Sequence, residues 1–190
     1  MDGYASATSS MSMDNLKTSL NSRCADVIIG DTDILKNAPM HMLRSGLGDM
    51  LAKYIALCEW RIAHLITGEY YCENIVSLMR RTLDGIVSAA PRLMERDPEV
   101  IGAITEGLIL SGVAIAFAGA SRPASGQEHY FSHAWEMFAL NRGLPAELHG
   151  IQVGVGTQLC FRLYERLKSL EPDAHSARKA METFDPAQWE

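Results

Sequence analysis

The sequence predicts a mainly α-helical bundle behind a short amino-terminal segment of different character. From Asn37 onward, apolar residues recur at three- and four-residue spacings, which is the period of amphipathic helices. The first 36 residues are instead rich in Ser and Thr and hold one β-like run, DVIIGD, at residues 26–31. Because a single short strand forms no sheet by itself, this run needs partner strands from elsewhere or packs against the helices. We therefore divide the chain into residues 1–36, with one strand, and residues 37–190, an all-α domain.

The first two helices are predicted from their apolar faces. One covers LGDMLAKYIALCEWRIAHLI, and Gly68 ends it because glycine is typical of helix carboxyl termini. The second lies within EYYCENIVSLMRRTLDGIVSAA and breaks near Pro91. The apolar face of the first helix consists of Met50, Leu51, Tyr54, Ile55, Cys58, Ile62 and Leu65.

Asp97 and Pro98 predict the start of a third, central helix. Asp accepts hydrogen bonds as an N-cap, and Pro suits the first helical position. The stretch that follows, EVIGAITEGLILSGVAIAFAG, is apolar on almost every side, so this helix should lie in the core. We then predict a loop at SRPASG, a helix from Gln127 to Leu140, a turn at NRGLP, a helix within AELHGIQVGVGTQLCFRLYERLKSL and a last helix at DAHSARKAMETF.

Composition argues against several classes of protein. The net charge of −6 and the lack of a basic tract argue against nucleic-acid binding. The apolar run from Leu108 to Ala120 is interrupted by Ser and Gly and is too short to span a bilayer. The amino terminus, MDGYASATSSMSMDN, has neither the positive nor the apolar region of a signal peptide, so we expect a cytoplasmic protein without membrane insertion. Four cysteines without a CxxC pair are expected to be reduced core residues.

Three places put a metal-ligating residue type beside glycine. Asp49 follows GLG at the expected start of the first long helix, His129 opens the helix after SRPASGQE, and His149 precedes Gly150. One carboxylate and two imidazoles suit a divalent transition metal that keeps open positions. His129 and His133 offer a second arrangement, since an i, i+4 spacing places both on one helix face. Each residue also has an ordinary interpretation, Asp49 as a helix-start carboxylate and each histidine as a cap or surface residue.

Five blocks, in order, carry a resemblance to a known family. They are MDGYAS, GLGDMLAKYIALCEW, GEYYCE, LILSGVAIAFAGASRPASGQEHYFSHAWE and LHGIQVGVGT. Through them, residues 1–168 resemble bacterial sn-glycerol-1-phosphate dehydrogenases, of the glycerol dehydrogenase and dehydroquinate synthase-like (iron-containing alcohol dehydrogenase) superfamily. The SRPASGxEHxxSH block is the most specific, because glycerol dehydrogenases proper lack its Ser-Arg-Pro element. The resemblance implies the helical metal-binding domain of the dehydroquinate synthase-like fold, with residues 1–36 as a remnant of the NAD-binding domain.

The resemblance also implies a reaction and a metal site. The reaction is the interconversion of dihydroxyacetone phosphate and sn-glycerol 1-phosphate with NAD or NADP, which serves phospholipid biosynthesis. Asp49, His129 and His149 are implied to hold the metal, zinc in archaeal members and often nickel in bacterial ones. Asp49 also lies against the substrate, and His133 contacts the substrate instead of the metal.

Three further residues are candidates for substrate or cofactor contacts. By the resemblance, Asp2 matches an aspartate that binds substrate, and Ser6 matches a serine that contacts the nicotinamide dinucleotide. Arg122 is a candidate for the substrate phosphate, because a guanidinium fork matches that anion. A structural role of Arg122 in its loop is the alternative.

The chain departs from the family pattern in its nucleotide-binding part. GLGDML and GVGTQL have two glycines each and lie in predicted helices, so neither fits the dinucleotide fingerprint. We therefore expect a truncated chain that lacks most of the nucleotide domain, and we expect it to be inactive alone. By the resemblance we also expect a homo-oligomer, a dimer or larger. Two alternatives stay open: a non-catalytic helical metal-binding or oligomerisation module, and a glycerol dehydrogenase-type enzyme, against which SRPASG weighs.

Overall fold

A computed structural model describes residues 5–13, 16–171 and 173–182 of the chain. Within these residues, α-helices follow a small antiparallel sheet of two strands, which confirms the predicted mainly α fold. A 3-10 helix, Ala90–Glu95, joins the third α-helix to the fourth. The helices are α1 (Thr32–Leu35), α2 (Met40–Thr67), α3 (Glu73–Ala89), α4 (Pro98–Ala118), α5 (Gln127–Asn141), α6 (His149–Lys168) and α7 (Ala174–Glu182).

Helix ends lie where local chemistry predicted them. α2 stops at Gly68, whose φ of 73° is a left-handed conformation that glycine adopts without strain. Asp97 caps α4, since its side chain accepts a hydrogen bond from the Glu99 amide at 2.8 Å, and Pro98 is the first helical residue. α4 ends at Gly119, again with a left-handed φ of 65°.

The predicted strand at residues 26–31 is wrong. The structure assigns no strand to this run, and Val27 and Ile29 are 76% and 87% exposed. The strands lie earlier, as β1 (Thr8–Met13) and β2 (Leu16–Asn21), paired so that Met13 faces Leu16. DVIIGD has strand-forming residues, but no strand pairs with it in the part of the chain that the structure describes, so propensity alone does not make it a strand.

The hydrophobic core lies among α2, α3 and α4. α4 packs so closely on both neighbours that a Cβ added at Gly107 would lie 2.7 Å from Ile86 Cδ1 and 2.8 Å from Met50 Cε. The predicted central position of α4 is therefore correct. The largest core side chains on these helices include Met50, Leu57, Trp60, Met79, Leu83, Ile86, Val100, Ile101 and Leu108.

Among the helices that the structure describes, α4 is the one whose length and composition would suffice to cross a membrane. Its mean hydropathy reaches 2.0, and the helix is longer than the apolar run considered in the sequence. Of that apolar window, 56% is buried inside the bundle, as in the core helix of a soluble protein.

The cysteines are free thiols, as expected, and Cys72 packs against the core, but the predicted core position is wrong for Cys24 and Cys58. Cys160 is buried, Cys24 and Cys72 are half-buried, and Cys58 is exposed. The chain separates into two compact units after Cys160. The predicted domain boundary at residue 36 stays a prediction.

Candidate metal centre

Two helices cross with their backbones in contact, and the crossing places two candidate ligands side by side. A Cβ added at Gly48 of α2 would overlap the Gly150 carbonyl oxygen, and one added at Gly150 of α6 would overlap that of Ser45. Only glycine therefore permits this approach. Asp49 follows Gly48 and His149 precedes Gly150, so the crossing brings both side chains to one place.

The third candidate ligand comes from the first turn of α5. This turn packs on α6 at Gly156, where an added Cβ would lie 2.7 Å from the carbonyl oxygen of Glu128. His129 is the next residue, and its ring centroid lies 5.1 Å from that of His149. A glycine contact thus also sets the distance between α5 and α6, the helices that carry His129 and His149.

Asp49, His129 and His149 together form a triangle of potential ligand atoms. Asp49 Oδ1 lies 3.7 Å from His129 Nε2 and 3.9 Å from His149 Nε2, and one ligand atom from each residue lies within 4.8 Å of the other two. Asp49 and His129 are buried, whereas the side chain of His149 is 44% exposed. A tetrahedral ion with bonds of about 2.0–2.1 Å separates its ligands by about 3.3–3.4 Å, so small side-chain movements would close the triangle on an ion.

The two oxygens of Asp49 have different surroundings. Oδ2 lies 3.1 Å from the ammonium nitrogen of Lys53, one helical turn later, and that lysine is completely buried. Oδ1 is buried, faces the two imidazoles and has no hydrogen-bond partner among the described residues. Because a buried carboxylate oxygen is costly without a partner, this atom fits a ligand to a cation.

Electrostatics keep the Asp49 carboxyl ionised. Burial raises its pKa, but the charges of Lys53, His129 and His149 outweigh burial and hold the pKa below its usual value. The carboxylate is the form that binds a metal ion.

Each imidazole contacts a polar group through the nitrogen that points away from Asp49. His129 Nδ1 lies 2.7 Å from Oε1 of the buried Glu128, and His149 Nδ1 lies 3.1 Å from Ser132 Oγ. Ser132 Oγ in turn donates to Gln152 Oε1 at 3.2 Å. Such contacts are typical of histidines whose Nε2 atoms bind a metal.

His133 lies beside this triangle but is not one of its three members. Its ring centroid is 6.3 Å from that of His129 and 6.2 Å from that of His149. The arrangement therefore favours the set that contains Asp49 over the simple i, i+4 histidine pair. Substrate contact by His133 stays a prediction.

Arg122 forms a fork with Glu69. Its Nε and Nη2 atoms donate to the two carboxylate oxygens at 2.7 Å each, and this hydrogen bonding holds the pKa of Glu69 below its usual value. A contact with a substrate phosphate would use the other N–H groups of the guanidinium. The phosphate role of Arg122 stays a prediction.

The amino-terminal candidates are described only in part. Asp2 lies outside the described residues. Ser6 is buried, and its carbonyl oxygen accepts a hydrogen bond from Ser22 Oγ at 3.5 Å. Cofactor contact by Ser6 stays a prediction.

Sequence reasoning misjudged one position and missed three polar residues. Asp49 lies well inside α2, which begins at Met40, because the crossing with α6 stabilises glycine within this helix. The residues that contact the ligands, Lys53, Glu128 and Ser132, were not singled out. Their one signal in the sequence is a position within one helical turn of a candidate ligand. Many solvent-exposed residues occupy such positions too, so this signal is not specific.

Comparison with known proteins gives one consistent result. The chain is 34% identical over 184 residues to a glycerol-1-phosphate dehydrogenase, using NAD(P)+, of Halalkalibacterium halodurans, which covers 97% of this chain and 44% of that protein. It is 41% identical over 163 residues to the enzyme of the same name from Pyrococcus horikoshii, covering 86% of this chain and 46% of the relative. With the Geobacillus thermodenitrificans enzyme the identity is 31% over 190 residues, 100% of this chain and 46% of the relative.

These matches confirm the resemblance predicted from the five sequence blocks. The chain spans about half the length of the curated relatives it matches, and that half is the carboxy-terminal one. No protein-family model matches the chain.

Proposed function

Because the chain is similar along its length to the carboxy-terminal half of glycerol-1-phosphate dehydrogenases, we propose that it provides the metal- and substrate-binding part of such an enzyme. The proposed reaction interconverts dihydroxyacetone phosphate and sn-glycerol 1-phosphate with NAD or NADP in the cytoplasm. The observation that carries the proposal is the triangle formed by Asp49, His129 and His149, with Asp49 Oδ1 buried and facing both imidazoles.

Asp49, His129 and His149 would hold a divalent ion, zinc or nickel. When bound, such an ion acts as a Lewis acid that polarises the substrate carbonyl and stabilises negative charge on its oxygen. Lys53 holds Asp49 Oδ2 at 3.1 Å, so that Oδ1 stays directed at the two imidazoles. One ligand, His149, is half-exposed, so the site is open to a small molecule on that side.

Other residues would bind the substrate and cofactor. His133, which lies one helical turn after His129 and beside the triangle, would contact the substrate. Asp2 would add a second substrate contact, and Ser6 a contact to the nicotinamide dinucleotide. Arg122 would hold the phosphate through the N–H groups that Glu69 does not engage. We propose that the active enzyme is a homo-oligomer.

Metal analysis tests the central step of this proposal. After purification and dialysis we expect about one divalent transition ion per protomer, and close to none in His149→Ala, because two ligands hold such an ion far more weakly than three. His41→Ala is the matched control, since it removes an exposed imidazole at the start of α2. Equal metal content in His149→Ala and the parent would remove His149 from the site.

A further inference from the structure

Glu128 is a completely buried carboxylate beside a candidate ligand. Its Oε1 accepts a hydrogen bond from the Gly126 amide at 2.8 Å and lies 2.7 Å from His129 Nδ1. Its Oε2 is buried and has no hydrogen-bond partner among the described residues. A carboxylate in this setting is costly, so a nearby positive charge is expected to compensate it.

The contact with Oε1 assigns the tautomer of His129. An ionised carboxylate only accepts hydrogen bonds, so His129 Nδ1 must carry the hydrogen and donate it. In the neutral ring, which is the form that binds a metal, the Nε2 atom then presents its lone pair, and this is the atom that lies 3.7 Å from Asp49 Oδ1. The ring is thus oriented for a cation by a residue that does not itself reach the ligand triangle.

We propose that Glu128 is the positioning residue of the metal centre. It fixes His129 as the Nδ1–H tautomer, directs Nε2 at the ion and strengthens that nitrogen as a donor through the adjacent negative charge. This inference rests on the proposed function of Asp49, His129 and His149 as metal ligands.

Two glycines provide the space that Glu128 occupies. A Cβ added at Gly126 would lie 2.8 Å from Glu128 Oε2, and one added at Gly156 would lie 2.7 Å from the Glu128 carbonyl oxygen. The glycine at the end of the SRPASG loop therefore makes room for a buried carboxylate and donates its amide to it. This close packing, and not the backbone conformation, explains a glycine at this point of the loop. Its φ of −132° is one that any residue can adopt.

The charges of the surrounding interior also call for a cation. Asp49, Glu128 and Lys53 are all buried, so when both imidazoles are neutral, as metal ligands are, two carboxylates lie beside one ammonium. Burial and, to a smaller extent, the charges of Glu128 and Glu59 raise the pKa of the nearby Cys160 thiol to about 11. A divalent ion at the triangle would offset the excess negative charge.

The two histidines differ in the group behind them. His129 is buried and contacts a charged carboxylate, whereas His149 is half-exposed and contacts the neutral hydroxyl of Ser132. Hydrogen bonds to charged acceptors are roughly twice as strong as those between neutral groups. Loss of the Glu128 charge should therefore weaken metal binding more than loss of the Ser132 hydroxyl.

The test is the affinity of the full chain for Zn²⁺, measured by competition with a chromophoric chelator. Glu128→Gln keeps the shape and one acceptor oxygen but removes the charge, and we expect its affinity to fall about 10- to 100-fold. Glu59→Gln is the matched control, because Glu59 Oε2 accepts the neighbouring Gln127 amide at 2.8 Å at the same helix start. The control should bind Zn²⁺ almost as tightly as the parent, and Ser132→Ala should lie between the two.

Nitrogen-15 spectra of the histidine rings give a second readout that a merely structural role would not change. In the parent without metal, at mildly alkaline pH, His129 should show the Nδ1–H tautomer, with its ring proton shifted downfield by the carboxylate. In Glu128→Gln this proton should move upfield. The parent spectrum tests the tautomer even if the variant does not fold.

The outcomes separate this inference from the proposed metal site. Parent-like Zn²⁺ affinity in Glu128→Gln, or an Nε2–H tautomer of His129 in the parent, would overturn the role of Glu128. If His129→Ala also binds Zn²⁺ like the parent, the proposed metal site itself is wrong.

Discussion

At the residue scale, Lys53 shows how the fold distinguishes the two oxygens of one carboxylate. Lys53 is not among the residues of the apolar face predicted for this helix. The structure buries it completely, with its nitrogen 3.1 Å from Asp49 Oδ2. A lysine is buried at this cost only beside a compensating charge, so Asp49 and Lys53 are best regarded as one unit. Because Lys53 engages Oδ2, Oδ1 is the oxygen that would bind the proposed ion.

The role of His133 can be separated from that of its neighbour by substitution. We expect His133→Ala to retain nearly all of its bound metal, because the proposed ligand set consists of Asp49 Oδ1 and the Nε2 atoms of His129 and His149. His129→Ala, which removes the same ring one turn earlier on α5, should lose the metal. Both are measured by metal analysis after dialysis. A loss in His133→Ala equal to that in His129→Ala would restore the i, i+4 histidine pair as the ligand set.

At the element scale, the glycine contact between α2 and α6 determines the geometry of the site. We expect Gly150→Ala to lower both the melting temperature and the metal content, because its Cβ would overlap the Ser45 carbonyl oxygen and separate the two helices. Gly85→Ala in α3 is the control, since a Cβ there meets nothing within 4 Å. It should stabilise the chain slightly, by up to about 1 kcal/mol, as Ala replaces Gly in a helix.

Thermal unfolding followed by circular dichroism, with metal analysis of the same samples, checks both variants. If Gly150→Ala melts and binds metal like the parent, the close crossing is not needed for the site.

Local signals predicted the helices well and the strands poorly. Asp97, Pro98 and Gly68 fix helix ends through capping and backbone geometry, which depend on a few neighbouring residues. Strand formation depends on pairing with another strand. The apolar run at residues 26–31 pairs with none of the described strands, so it forms no strand itself. The observed pairing of β1 with β2 was missed, because these Ser- and Thr-rich runs lack the regular apolar alternation that predicts a strand.

At the scale of the whole molecule, the site joins residues far apart in the chain. Asp49 comes from α2, His129 from α5 and His149 from α6, and spacing alone could not bring them together. The resemblance supplied that set in advance. It did not supply Glu128, because the tautomer of His129 depends on side-chain packing that becomes visible only in three dimensions.

The similarity to about half of each relative leads to a prediction about activity. Hydride transfer needs the nicotinamide held about 3–3.5 Å from the carbonyl carbon, and much of the rate acceleration comes from that positioning. The pyrophosphate of such a cofactor normally lies on a glycine-rich turn between a strand and a helix amino terminus. In the described residues, β2 leads into residues 22–31 without such a turn. The single contact proposed for Ser6 would not replace this anchor.

We therefore expect a polypeptide of these 190 residues to reduce no measurable dihydroxyacetone phosphate with NADH or NADPH. Fusion to the amino-terminal half of the Geobacillus thermodenitrificans relative should produce turnover, because that enzyme aligns with the whole of this chain. NADH oxidation, followed by absorbance, measures both proteins. The same fusion carrying His129→Ala is the control and should be inactive, which would tie the turnover to the metal centre of this chain. Robust activity of the 190 residues alone would mean that they bind and position the nicotinamide through groups other than a glycine-rich turn.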